Sequence, residues 1–466
     1  MFKFRSLLDS IGFWVFLFFI IRLYGINNPP LEVSHNWRQT TVNMVARNYL
    51  ELNNNILYPQ VDMAGDKTGI TGMEFPIYNY TIYATSSIFG YSHWYGRLIN
   101  LIVSSIGILF FYKCVRLYQP HTVALYSSLF LLGSIWFAFS RKIMPDTFSV
   151  SLVIIGIYHG LKFFSLRGVR HRYLLYFVAF TALGVLAKLP SGFLLGIFLM
   201  HMVNKSISYG KKYVFSLYAV ALMIPVILWY FYWSPHLVET YGYSHFFSGR
   251  SLMEGMRQLA SEPLLTLKQF YDSALGISGF VIFSFSLIWA FRQGEWQIVN
   301  AWLVLSLIFV FFMLKGGFNF YHHNYYIIPF VPVMALVAGK GLSQLLPKWA
   351  VPLLVIFFAD NIAKEVQDFQ IRENYAPITA LESKMDLYTK QSDLILINSG
   401  TSPTPMYFAH RKGWIESNDK ITPEYLMEVK EKGCEYVIIL KRAFGENKEL
   451  DHHKVFSSED FDIYQL

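Results

Sequence analysis

Eleven runs of mainly apolar residues constrain this 466-residue chain more than any other feature. They cover roughly 7–24, 94–117, 121–139, 147–164, 173–187, 191–203, 213–233, 273–291, 296–314, 326–346 and 349–362. A helix that crosses a bilayer needs about 20 apolar residues, so the pattern predicts a mainly α, polytopic membrane protein with about eleven spans. Charged residues make up only 15% of the chain, against about 25% for soluble domains. That excludes a disordered chain and argues against an ordinary soluble enzyme. The two cysteines, Cys114 and Cys434, supply neither a disulfide framework nor a cysteine-based zinc cluster. The first run follows Lys3 and Arg5, as a signal peptide would. Asn27, Asn28, Pro29 and Pro30 stand where a small-residue cleavage site would be, so it reads as a retained anchor.

Basic residues set the direction of threading. With the N-terminus in the cytoplasm, the segments on that side carry fourteen Lys and Arg against two acids, Asp9 and Glu295. The opposite loops are close to neutral. An odd span count then puts the C-terminus outside. The expected division is a membrane domain over 1–362, with outer loops at 27–93 and 234–272, and a small soluble α/β domain over 363–466. In that last segment acids outnumber bases and long apolar runs stop. Asp393–Asn398 and Glu435–Leu440 read as strands. Between them, Thr422-Pro423 starts a helix and Gly433 ends it, so the order suggests a βαβ-like unit. In the first loop, Trp37–Leu52 has helical apolar spacing that suits an amphipathic helix on the membrane surface. Phe75–Phe89 reads as a second, aromatic-rich interfacial helix.

Ionisable residues beside apolar runs gather on the outer side: Glu32, His35, Arg38, Glu74, Arg97, Arg141, Lys142, Asp146, Lys188, Lys315, His322 and His323. Charge near lipid is costly, so such residues pair or serve a site. Blander roles exist beside these. Arg97 and Lys188 suit snorkelling anchors, Asp146 after Pro145 suits a helix start, and Arg141 and Lys142 suit lipid headgroups. Neighbours on a helix point in different directions, so His322 and His323 share a metal only if the backbone is irregular. Glu74 is a lone acid between aromatic stretches. Neither a P-loop nor a dinucleotide-binding glycine pattern is present, so chemistry on the outer face takes an activated substrate from the membrane.

The pattern resembles the GT-C fold integral-membrane glycosyltransferases that use polyprenyl-phosphate sugars, in particular the protein mannosyltransferase-like and aminoarabinose transferase-like groups. The resemblance spans about Ile11 to Ile362 and rests on several short motifs. Glu74-Phe75-Pro76-Ile77-Tyr78 resembles the family's acid-x-Pro element, and His93-Trp94-Tyr95-Gly96-Arg97-Leu98 its Arg-Leu entry to the second span. Arg141-Lys142-Ile143-Met144-Pro145-Asp146 resembles its Pro-Asp element. Tyr321-His322-His323-Asn324-Tyr325-Tyr326 with Pro329 resembles its late His-x-x-Tyr-Tyr element. The family carries Asp just after the first span. Here the only acid in that place is Glu32, with His35 as the other basic group.

The resemblance implies direct displacement. An acceptor hydroxyl attacks the anomeric carbon of a lipid-phosphate sugar with inversion, and polyprenyl phosphate leaves. Such an attack needs a base, for which Glu32 and His35 are the candidates, with Glu74 and Asp146 completing the catalytic set. The leaving phosphate needs cations or donors: Arg38, Arg141, Lys315, His322, His323 and Tyr325. A divalent metal, if used, implies Glu74 and His35 as ligands. The implied acceptor is a glycolipid or a surface polysaccharide of lipopolysaccharide type at the periplasmic face of a bacterial inner membrane. Two other classes compete. A polytopic transporter would show internal repeats and midplane charges, which are lacking here. An O-antigen-type polymerase or ligase usually lacks a soluble C-terminal domain.

Overall fold

The computed structural model describes residues 7–244 and 249–466. Lys3 and Arg5 of the charge count, and 245–248 of the second loop, lie outside them. The chain is mainly helical, with one five-stranded sheet near the C-terminus. The longer helices begin with α1 (Ile11–Arg22), α2 (Asn36–Glu51), α3 (Ile77–Phe89), α4 (Tyr95–Arg116), α5 (His121–Leu132), α6 (Pro145–Ser165) and α7 (His171–Ala187). They continue with α8 (Tyr209–Ile227), α9 (Leu252–Ser261), α10 (Gly276–Arg292), α11 (Trp296–Gly316), α12 (Val331–Leu342) and α13 (Pro347–Asp368). Two compact units result. One is helical and holds 7–26, 97–231 and 249–366; the other bears the sheet and joins 27–96 and 232–244 to 367–466.

Among the described residues, length and composition qualify five stretches to cross a membrane: Tyr95–Arg116, Pro145–Ser165, Tyr209–Tyr241, Trp296–Gly316 and Asn324–Leu342. Two bent pairs, His121–Leu132 with Ile135–Arg141 and Pro263–Ala274 with Gly276–Arg292, raise this to seven if each is one span. The chain is therefore a multi-pass membrane protein. The remaining expected segments are helical but short or more polar; α1, α7 and Leu189–Val203 are apolar helices of sub-spanning length. Small residues let helices approach closely where no hydrophobic drive separates protein from lipid. A Cβ on Gly156 of α6 would stand 2.0 Å from the Thr181 hydroxyl of α7, and one on Gly184 of α7 would stand 2.8 Å from the Ser149 carbonyl. The α6–α7 hairpin is thus clamped along its length, and the end of α7 returns to the start of α6.

In the sheet-bearing unit the strands are β1 (Leu394–Ile397), β2 (Lys412–Ile415), β3 (Cys434–Leu440), β4 (His453–Ser457) and β5 (Phe461–Gln465), in the order β2-β1-β3-β5-β4. β1 runs parallel to β2 and β3, and β5 antiparallel to β3 and β4. Between β1 and β3 the chain forms α14 (Thr404–Ala409) and α15 (Pro423–Glu431). The Thr422 hydroxyl accepts from the Tyr425 amide at 3.2 Å, capping α15, and Gly433 follows its end at φ +94°. Both faces of the sheet are covered, which explains why β1 and β3 read as unbroken apolar runs. Leu396, Val437 and Ile439 face Leu426 and Val429 of α15. Ile395, Ile397 and Ile438 share the other core with Met44, Val45 and Tyr49 of α2 and with α14.

The placement of α2 corrects the expected surface helix. Thirteen of its sixteen residues are buried, on every side and by protein. Its polar side chains are accommodated because each finds a partner. Arg47 binds Asp62 at 3.0 Å and the Tyr407 carbonyl at 3.1 Å, Asn48 donates to Asp62 at 2.6 Å, and Asn43 donates to the His93 carbonyl at 3.1 Å. The C-terminal end of α2 is held by His410, whose ring nitrogens meet Glu51 at 2.9 Å and Glu382 at 2.5 Å. Burial alone lowers the pKa of His410, but its hydrogen bonds to Glu382 and Glu51 outweigh that and push it up to about 9. By contrast, α3 leaves Ile88 and Phe89 exposed and buries Tyr78 and Ile82, an amphipathic division.

Candidate active site

The sequence-predicted residues fall into two sets, one in each unit. The first is built around the start of α2. His35, the residue before the helix, sits in the left-handed region at φ 63°, a conformation that is uncommon outside glycine but which His, like Asn and Asp, adopts more often than other residues. Its carbonyl accepts from the amides of Arg38 and Gln39 at 3.1 and 3.2 Å. This sharp entry presents two successive side chains to two acids. The Arg38 guanidinium pairs with the Glu74 carboxylate, and both are largely buried. The Gln39 amide donates to Glu32 at 3.0 Å. Glu32 is fully buried, its carbonyl accepts from the Asn36 side chain at 3.1 Å, and its backbone bridges to Ile371. Glu74 stands in a bend just before Phe75-Pro76, and the start of α3 that follows is fixed by the Tyr78 hydroxyl donating to the Gly96 carbonyl at 2.6 Å.

The second set lies at the clamped end of the α6–α7 hairpin. Pro145 opens α6 and Asp146 stands in its first turn, where the helix dipole favours an anion. Asp146, 3% exposed at the side chain, pairs with Lys188 at 3.2 Å. Lys188 also lies over the Tyr325 ring, 5.2 Å from its centre, within cation–π range. His323 stacks on the same ring at 5.2 Å and 14°. The second oxygen of Asp146 is buried and has no hydrogen-bond partner among the described residues. Asn100 of α4 fixes the approach to this turn by donating to the carbonyls of Phe139, Lys142 and Met144 at 2.9–3.2 Å. Arg141 is buried and donates to the Tyr24 carbonyl.

Thus Asp146, His323 and Tyr325 come together, while Arg141 ties the end of α1. Lys315 and His322 make their contacts elsewhere. Lys315 is half-buried at the end of α11, and its carbonyl accepts from the Arg250 amide at 3.0 Å. His322 is exposed, edge-on to Phe318 at 5.0 Å. His323 lies in extended backbone just past a short helix, Phe318–His322, and the two histidine rings are 6.4 Å apart. Among the described residues no three His, Cys, Asp or Glu side chains gather as a metal centre. Lys188 was read from sequence as a snorkelling anchor, and the structure makes it the cation of the Asp146 pair. Arg97, read the same way, is fully buried and donates to the Ile26 carbonyl at 3.1 Å. Gln39 and Asn100 were missed because amides in helices carry no signal until their partners are known.

A clamped bundle of apolar helices, with a sheet-bearing unit assembled from the first loop and the C-terminal segment, is the fold of the GT-C membrane glycosyltransferases, as the sequence motifs suggested. The sequence model of the dolichyl-phosphate-mannose-protein mannosyltransferase family matches residues 73–229, a stretch that contains Glu74, Asn100, Asp146 and Lys188. ArnT from Cupriavidus metallidurans in the apo state is similar at TM-score 0.64 and 10% identity over 97% of each chain. The same enzyme bound to undecaprenyl phosphate is similar at TM-score 0.62 and 11% identity, covering 97% of this chain and 98% of that one. An oligosaccharyltransferase from Archaeoglobus fulgidus in the apo form has TM-score 0.58 and 13% identity, covering 91% of this chain and 69% of that one. At these identities the likeness establishes the fold. Among curated protein sequences, none matches this chain.

Proposed function

We propose that this protein is a glycosyltransferase that moves a sugar from a polyprenyl-phosphate carrier to a glycolipid or surface-polysaccharide acceptor, at the periplasmic face of a bacterial inner membrane. The observation that carries this reading is the GT-C fold with acid–base pairs at the motif positions. ArnT, similar along nearly its whole length, is known with undecaprenyl phosphate bound, and that class of carrier is the one proposed here. The chain crosses the membrane about eleven times, with the N-terminus cytoplasmic and 363–466 outside, as the fourteen-to-two distribution of basic and acidic residues favours.

In the reaction the acceptor oxygen bonds to the anomeric carbon as the bond from that carbon to the carrier phosphate breaks, with inversion. The acceptor proton passes to a carboxylate, for which Glu32 and Glu74 are the candidates, with His35 beside them at the helix entry. The charge released on the phosphate needs cations already in place. Two positions are alternative candidates for such a cation: Lys188, held by Asp146 and Tyr325, or Arg38, paired with Glu74. Lys315, Arg141 and the two histidines complete the set of substrate-binding candidates. Pre-pairing each cation with a carboxylate fixes its position before substrate arrives, so little reorganisation is left for the chemical step.

The test is incubation of membranes containing the protein with radiolabelled polyprenyl-phosphate sugars and lipid extracts. Label should move from the carrier to an extractable glycolipid or polysaccharide and should not move from free nucleotide sugars. Turnover of a nucleotide sugar by purified protein would refute the donor assignment. Solute flux without transfer would replace the enzyme reading by a transporter, and transfer of whole diphosphate-linked oligosaccharides would point to a polymerase or ligase.

A further inference from the structure

A second feature of the helical unit has no part in that chemistry. A cavity of about 160 Å³ lies between α4, α6, the 3₁₀ segment Leu189–Phe198, α11 and α12, and none of the candidate catalytic or substrate-binding residues lines it. Its walls are aliphatic stripes: Ile154, Ile157 and Leu161 on α6, and Ile298, Ala301 and Leu305 on α11. Each stripe keeps helical i, i+3, i+7 spacing and runs about 10 Å at 1.5 Å per residue. Four of the walls, α4, α6, α11 and α12, belong to stretches long and apolar enough to cross the membrane.

Polar groups meet this cavity at one end only. There the Tyr118 hydroxyl bonds His201 Nε2 at 2.9 Å, and the Gln119 amide donates to Gln297 at 3.1 Å. Just beyond, Lys340 reaches Gln119 at 3.4 Å and Glu295 at 2.9 Å. Arg116 donates to the Gln119 carbonyl at 2.8 Å and has no carboxylate partner among the described residues. Through Gln119, which lines the cavity, this mouth therefore holds two cations, Arg116 and Lys340, against one acid, Glu295. An apolar cavity of about this size takes a hydrocarbon ring and stays dry, because water needs two to four polar partners. Lined walls without such partners, with a cationic polar mouth at one end, match a molecule that has a hydrocarbon chain and a negative headgroup.

We propose that this cavity holds a segment of an acyl chain of an anionic membrane phospholipid, with that segment along α6 and α11 and the phosphate at Arg116 and Lys340. The site stands apart from the transfer reaction and does not depend on it. The fourteen-to-two charge distribution assigns its mouth to the cytoplasmic leaflet.

The experiment uses the full-length protein in mild detergent and dioleoyl phosphatidylglycerol or dioleoyl phosphatidylcholine as the probe, read by native mass spectrometry. One phosphatidylglycerol should survive collision energies that strip the remaining lipid, with at least 10-fold preference over phosphatidylcholine. Ala301→Phe fills the cavity and should remove that adduct. Arg116→Gln, at an exposed position, should leave the protein folded and cut the headgroup preference several-fold. A phosphatidylglycerol with a mid-chain diazirine should crosslink wild-type protein within α6 and α11, which keeps the proposal testable if Ala301→Phe does not fold. Crosslinks confined to other helices, an adduct retained in folded Ala301→Phe, equal retention of both lipids, or displacement by equimolar undecaprenyl phosphate would each overturn it.

Discussion

The clamp on α2 makes the sheet-bearing unit sensitive to pH in a defined direction. His410 stands in the left-handed region at φ 50°, with Glu51 on one ring nitrogen and Glu382 on the other. Its pKa is raised from 6.5 to about 9, so the folded state holds the proton more tightly than the unfolded chain does. A group of this kind contributes its full stability below pH 6.5 and loses it as pH rises through about 9. At 1.36 kcal/mol per pH unit, the full difference is about 3 kcal/mol. Glu51 and Glu382 are 34% and 49% exposed at their side chains, and solvent screening leaves roughly half of that. The assay is amide hydrogen exchange of the full-length protein, corrected for intrinsic rates, at pH 6.5 and 9.5. The opening free energy of α2 and of Leu381–Met385 should fall by about 1–2 kcal/mol in wild type and stay level in His410→Gln. A wild-type profile with no fall, or a variant with the same fall, would refute the assignment of the clamp to this histidine.

Three further outcomes are expected. Glu74→Gln keeps shape but removes the charge facing Arg38. If the carboxylate acts in the reaction, transfer per folded protein should drop by about 10²-fold or more, and a near-normal rate at normal thermal stability would remove Glu74 from the site. Asp146→Asn leaves Lys188 without its anion, and turnover should fall at unchanged abundance; a rate within two-fold of wild type (about 0.4 kcal/mol on the barrier) would make the pair structural. For the threading, a reporter active only in the periplasm should be active when fused after Asn361 and silent after Arg172, and the reverse at either point would invert the proposed face.

What the sequence disclosed depended on how local the signal was. The strands β1 and β3 were legible because burial on both faces makes them continuous apolar runs, and α15 because its cap and stop are adjacent residues. β2, with Lys412 and Gly413, and β4, with His453 and Lys454, carry no such run. They exist because neighbours pair with them. Gly413 shows how specific that pairing is: its φ is +147°, and a Cβ there would lie 1.8 Å from the Ile395 carbonyl. The acids and cations were legible as charges out of place among apolar residues, but their pairing was not. Lys188 lies 42 positions from Asp146 in sequence, and only the α6–α7 clamp makes them neighbours. The largest error, α2 as a surface helix, has the same cause. Arg47, Asn43 and Asn48 look like a wet face until Asp62, His93 and Tyr407 arrive from elsewhere in the chain.

The burial of α2 also gives the C-terminal segment a role that its lack of catalytic residues hides. Met44, Val45 and Tyr49 pack against Ile395, Ile438 and Met406. Burying each such side chain is worth about 1.5–3 kcal/mol, so α2 draws roughly 5–9 kcal/mol from this core, comparable to the whole stability of a domain. Asn36 also accepts from the Thr404 hydroxyl at 3.0 Å, and Arg47 donates to the Tyr407 carbonyl. The helix whose first turn presents Arg38 to Glu74 and Gln39 to Glu32 is therefore held by residues more than 350 positions later. A chain truncated after Phe369 should keep its apolar helices, lose protease resistance across 36–51, and lose transfer although every candidate catalytic residue remains. Supplying 370–466 as a separate co-expressed fragment should restore both together. Persistent protection of 36–51 in the truncated chain would show that α2 is held by something other than this core, and recovery of transfer without recovery of protection would separate the C-terminal segment from the positioning of Arg38.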